Sequence, residues 1–150
     1  MRIAIGSDHA GFALKQHLAG LVAGLGHAVT DVGAHDESPS DYPDFAAAVG
    51  RAVAAGRADR GIIVCGSGAG AAIAANKVKG VRCALAHDTY TAHQAVEHDD
   101  ANVLAVGSRV VGVNVAEELV VVFLEARFSG EERHRRRLAK VADLEEGFGS

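Results

Sequence analysis

Five short apolar runs, largely β-branched, recur along the chain at residues 2–5, 28–32, 61–65, 82–86 and 102–106. Apolar and polar positions scarcely alternate within them, the pattern of strands buried on both faces. Each run gives way at Gly or Asp to a segment of helical spacing. Leu14, Leu18, Leu21, Val22 and Leu25 share one helical face, and Phe45, Val49, Ala52 and Val53 repeat the pattern. Strand-then-helix units in this number predict an α/β fold, a parallel sheet with helices on both faces. Ligands of such sheets bind beyond the carboxyl ends of the strands.

Two later segments complete the pattern. Residues 113–128 read as a helix, although 119–124 is apolar on nearly every side. That surface suits a subunit interface, or a helix sandwiched between the sheet and the last helix. After Gly130 a charged helix over 131–146 closes the chain.

The length of 150 residues fits one domain, 1–150, with room for a sizeable core. A net charge of -4 argues against a general nucleic-acid or membrane-surface binder. The two cysteines, Cys65 and Cys83, make no disulfide framework and fit a reducing cytoplasm. Met1 and Arg2 lead straight into a strand, so no secretory leader is expected. No apolar run reaches the roughly 20 residues of a membrane-spanning helix.

The first strand runs into Gly6-Ser7-Asp8-His9-Ala10-Gly11. Asp8 and His9 at this edge fit either a helix cap with a solvated imidazole or a working carboxylate–imidazole pair. The glycines do not match the dinucleotide fingerprint, so no nicotinamide cofactor is expected. The third strand runs into Cys65-Gly66-Ser67-Gly68-Ala69-Gly70, followed by a small-residue helix over 71–77. Alternating glycines let backbone N–H groups close on a ligand, and a helix N-terminus adds positive potential. Cys65 beside this nest is placed to react as thiolate, against the common fate of an inert core thiol. Ser67 lies outside the G-x-S-x-G frame and reads as a hydrogen-bond donor. Cys83, inside a strand, reads as core.

His98, near the end of the fourth helix, is a candidate acid–base group or a solvated helix-end histidine. The eight histidines show no H-E-x-x-H or C-x-x-C spacing, so no metal site is expected. In the last helix Glu131 can pair with Arg135 and Glu132 with Arg136. Arg133 and Arg137 instead face each other at i, i+4, where an anion such as phosphate would reconcile them.

Together these motifs, with Ser40-Asp41-Tyr42-Pro43, Ile73-Ala74-Ala75-Asn76-Lys77 and residues 102–109, resemble the ribose-5-phosphate isomerase B family. The galactose-6-phosphate isomerase subunits are its relatives. The resemblance implies a Rossmann-like three-layer α/β/α sandwich with five parallel strands. It implies a homodimer or tetramer with shared active sites, the C-terminal helix reaching the partner subunit. It implies interconversion of ribose 5-phosphate and ribulose 5-phosphate through a cis-enediolate, without cofactor. Alternatives are a hexose 6-phosphate or tetrose 4-phosphate substrate, or a non-catalytic phosphate- or nucleotide-binding module.

By the same resemblance Cys65 is the base. Ser67 and the amides of Gly66, Gly68, Ala69 and Gly70 hold the enediolate oxygen. His98 opens the sugar ring, assisted by Asp8 and Tyr42. His9, Arg109, Arg133, His134 and Arg137 contact the phosphate. Asp99 stands where relatives usually carry Asn near the substrate hydroxyls. Ser67 replaces a common Thr, and an extra acidic residue precedes Arg133. The larger departures bear on the substrate more than on the reaction.

Overall fold

The computed structural model describes residues 1–147, so the last three positions of the expected domain lie outside it. Its strands are β1 (Arg2–Ser7), β2 (Ala28–Asp31), β3 (Arg60–Cys65), β4 (Cys83–Leu85) and β5 (Val103–Gly107). Its helices are α1 (Phe12–Gly24), α2 (Tyr42–Ala54), α3 (Ala69–Ala75), α4 (Thr89–Asp99), α5 (Val113–Glu125) and α6 (Glu132–Gly147). The strands form one parallel sheet in the order β2-β1-β3-β5-β4.

Successive strand side chains point to opposite faces, and the sheet separates two cores. Ile3, Ile5, Ile62, Val64, Leu104 and Val106 pack with residues of α1, α4 and α5. Ala4, Ile63, Cys65, Val103 and Ala105 pack with α2 and α3. This is the three-layer α/β/α sandwich. Leu14, Leu18 and Val22 bury the predicted face of α1, while Leu25, just past the helix, is 47% exposed.

The apolar segment of α5 is core. Leu119, Val120, Phe123 and Leu124 are each at most 2% exposed within the single chain. Of the surface expected to serve an interface or a sandwiched helix, these four side chains pack on the sheet, while Val121 and Val122 stay half-buried in the single chain. The β-branched run stays helical because its tertiary packing overrides propensity. Arg60 donates to the carbonyl oxygens of Phe123 and Ala126, satisfying acceptors at the helix end.

Two polar devices fix the ends of the sheet. Lys15 of α1 is fully buried, its Nζ 2.8 Å from both carboxylate oxygens of Asp31. The same ammonium donates to the Ala34 carbonyl at 2.5 Å. It ties α1 to the end of β2 and to the following loop. Lys15→Met is expected to lower unfolding free energy on the order of 3 kcal/mol, because it strands the Asp31 carboxylate. Urea denaturation reads the loss; an unchanged midpoint would show that the pair adds no net stability. At the other side, Asn76 bonds the backbone of Cys83 twice, Nδ2 to its carbonyl at 2.9 Å and Oδ1 from its N–H at 2.8 Å.

Helix α6 lies along its own chain, with Glu145 accepting from the Gly80 N–H and Glu146 paired with Lys79. Glu132 pairs with Arg136 at 2.7 Å as expected, but Glu131 pairs with Arg133 at 2.9 Å and not with Arg135. Arg137 makes no ion pair among the described residues and is exposed. Among the described residues no helix is long and apolar enough to cross a membrane.

Candidate active site

The carboxyl ends of β1, β3 and β5 bring one group of residues together. Asp8 is buried, and its Oδ1 accepts from the Gly11 N–H at 3.0 Å, so the turn-forming role is present. Ser40 orders His9: its Oγ accepts from the His9 N–H at 3.0 Å, while its backbone N and O lie 3.1 and 3.2 Å from Nδ1. The loop carrying Ser40 is the one held by Lys15. Ser7 beside Asp8 is buried, and its Oγ has no partner among the described residues.

Cys65 ends β3 with 4% exposure. The Gly68 N–H donates to its Sγ at 3.1 Å. Gly68 reaches this geometry at φ +79, and a Cβ there would sit 2.6 Å from a Leu85 methyl. The Ala69 N–H in turn donates to Ser67 Oγ at 3.2 Å. Two amides assigned to the enediolate oxygen, those of Gly68 and Ala69, thus already serve Cys65 and Ser67. Helix α3 spans only 7 residues, so local N–H groups, and not a long helix dipole, shape the potential here.

Two further candidates close on the loop. A Cβ on Gly70 would lie 2.7 Å from the Tyr42 ring, so the phenol packs directly on the glycine. A Cβ on Gly66 would lie 3.4 Å from Arg109 Nη1, which sets that guanidinium beside the loop. Ser67, Tyr42 and Arg109 are exposed and accessible to ligand.

His98, Asp99, Arg133, His134 and Arg137 are elsewhere. Helix α4 leaves the carboxyl end of β4 and returns to the start of β5, so His98 and Asp99 lie at the opposite edge of the sheet. Cys65 pairs with Gly107, the last residue of β5. A five-residue strand separates the two edges by roughly 16 Å. One chain therefore does not bring His98 or Asp99 to Cys65.

At that second edge His98 stacks on His134, with ring centroids 4.2 Å apart. His134, expected as a phosphate contact, is 1% exposed in the single chain. Its Nδ1 meets Ser129 Oγ at 2.5 Å, and its buried Nε2 has no partner among the described residues. Burial, then the neighbouring His98 and Arg133, hold its imidazole below the ordinary range. Arg133 is exposed but engaged by Glu131; Arg137 is exposed and unpaired among the described residues. Cys83, expected in the core, is half-buried and packs against it, and burial pushes its thiol up to about 12.

Sequence reasoning missed Ser40 as the partner of His9, and missed His87, whose Nε2 accepts from the Gly107 N–H. His87 follows a strand at the ligand edge, a position that would have nominated it.

Comparison with known proteins bears on the family and the fold. The sequence matches the ribose/galactose isomerase family over residues 3–141. It is 41% identical to ribose-5-phosphate isomerase B of Escherichia coli over 145 residues, 97% of each chain. It is 40% identical to galactose-6-phosphate isomerase subunit LacB of Clostridium acetobutylicum, over 96% of this chain and 83% of that one. The fold matches ribose-5-phosphate isomerase B of Clostridium thermocellum with a TM-score of 0.97 and 45% identity, over 99% of both chains. With its parallel sheet and its glycine loop beside Cys65, the chain belongs to the ribose/galactose isomerase family and is a sugar-phosphate isomerase.

Proposed function

We propose that the enzyme interconverts ribose 5-phosphate and ribulose 5-phosphate, with Cys65 as the proton-transfer base. The observation that carries this reading is the Gly68 N–H aimed at Cys65 Sγ at the ligand edge of the sheet. As thiolate, Cys65 removes the C2 proton of the open-chain aldose and delivers it to C1. The hydroxyl proton moves from O2 to O1 in the same exchange. The cis-enediolate between these steps carries its charge against the loop around Ser67, where preorganised donors act most strongly. Arg109 beside Gly66 supplies positive charge at the same edge. The chemistry needs no metal or cofactor, and free Cys65 and Cys83 fit a cytoplasmic enzyme.

A second copy of the chain completes this site. His98, for ring opening, with Asp99 and the unpaired Arg137, would come from the partner's opposite edge. Arg137 and Arg133 then join Arg109 in holding the phosphate, while His134 stays beneath His98.

Substrate choice is tested with a panel of four-, five- and six-carbon sugar phosphates. Ribose 5-phosphate is expected to give the highest kcat/KM. A higher value for a tetrose or hexose phosphate would replace the substrate and keep the reaction. Asp99 enters the same panel. Two charges about 4 Å apart repel by roughly 4 kcal/mol at an effective dielectric near 20, so its carboxylate must avoid the enediolate. Facing a sugar hydroxyl, it accepts where Asn can donate as well. Asp99→Asn is expected to reorder the substrates; unchanged kcat/KM ratios would remove Asp99 from specificity.

A further inference from the structure

We infer that His87 is a positioning residue, whose imidazole fixes the turn that sets Arg109 beside the glycine loop; this rests on the reading above of Arg109 as a phosphate contact. The reason lies in how the sheet ends. Strand β4 pairs with β5 only from Cys83 to Leu85, opposite Val103 to Ala105. One further bond, Ala86 N–H to the Ala105 carbonyl, closes that ladder. The Gly107 N–H is left without a strand partner, and His87 Nε2 accepts it at 2.9 Å. An imidazole that accepts at Nε2 carries its proton on Nδ1.

Gly107 opens a turn that touches each part of the ligand edge. The Ser108 N–H donates to the Cys65 carbonyl at 2.8 Å and the Arg109 N–H to the Gly66 carbonyl at 2.9 Å. Ser108 Oγ donates to the Ala10 carbonyl at 2.8 Å, reaching the loop of Asp8 and His9. Gly107 itself is pressed on Ser67: a Cβ there would lie 2.5 Å from the Ser67 carbonyl oxygen. The turn is thus bonded on the side of the glycine loop by Ser108 and Arg109, and on the side of β4 by His87. Without the imidazole a buried N–H loses its acceptor, and the anchor of the turn on the β4 side is lost. Arg109 moves with it, while the glycine loop keeps its own bonds at Cys65 and Ser67.

The test compares His87→Leu, which removes the acceptor, with His87→Gln, which restores one. KM and kcat are measured on the best panel substrate, and binding of inorganic phosphate is measured by calorimetry. His87→Leu is expected to raise KM and the phosphate Kd about tenfold with kcat changed less than about threefold, and His87→Gln to recover most of the loss. Unchanged KM and phosphate Kd in folded His87→Leu would overturn the inference. So would a fall in kcat at constant KM, or a glutamine variant as impaired as the leucine one. If His87→Leu does not fold, the ring nitrogens of the wild-type protein decide by NMR. The Nδ1–H tautomer is expected, and an Nε2–H tautomer overturns the inference. A wild-type enzyme inactive on the whole panel would defeat the functional reading, while phosphate binding and the tautomer would still test His87.

Discussion

Cys65→Ala is expected to lower kcat by about a thousandfold while leaving substrate affinity within a few fold. Removing a positioned base takes away a contribution that exists only while the proton moves. The assay is uptake of solvent deuterium at C2 of the aldose, and both exchange and turnover should vanish together. Cys65→Ser separates geometry from chemistry. A hydroxyl can still accept from the Gly68 N–H, so the loop keeps its shape, but it is a far weaker acid than a thiol and should leave the enzyme nearly inactive. Cys83 cannot substitute, since it lies at the start of β4 with its thiol pushed up to about 12. Wild-type activity should also survive exhaustive chelation. Exchange at the normal rate in Cys65→Ala, or loss of wild-type activity with chelator, would remove this mechanism.

The second large effect is recovery of activity from two damaged proteins. Cys65→Ala and Arg137→Ala, each weak alone when assayed far below KM, are expected to regain about a quarter of wild-type activity when their chains exchange. Random pairing makes half the dimers mixed. Each mixed dimer then holds one doubly damaged site and one with Cys65 and Arg137 both intact. Arg137 suits the experiment because it is exposed and makes no ion pair among the described residues, so its loss should not disturb the fold. The separation of Cys65 from His98 by the length of β5 demands such sharing if both serve one substrate. No recovery despite proven chain exchange would place Arg137 in its own chain's site, or in none.

The sheet was legible because its strands are buried on both faces, and so read as continuous apolar runs. The glycine loop and Cys65 were legible because ligands bind at strand ends, a rule of position. His98 shows where that rule was not followed through. It ends a helix that returns to the start of a strand, so its place at the far edge was already implied by the strand–helix alternation. Grouping it with Cys65 came from the family resemblance and not from place. The partners of His9 and Gly107 are 31 and 20 residues away, and such pairings arise only when the chain folds. Residues 119–124 were ambiguous because a core and an interface ask for the same side chains, and only the folded chain shows which of them pack on the sheet. Glu131 met Arg133 because an exposed side chain outside the helix can turn to either neighbour, whereas Glu132, inside it, is held one turn from Arg136.

Asn76 carries a consequence for how the protein behaves in a crowded solution. Strand β4 is the outermost strand on its side, and an outermost strand offers unpaired N–H and C=O groups as a template for another chain. The Asn76 amide occupies both groups of Cys83, as a neighbouring strand would. It closes the template at the first residue of a strand only 3 residues long. A partner docking near β4 would therefore do so through side chains, and strand-to-strand stacking into aggregates is blocked at its starting point.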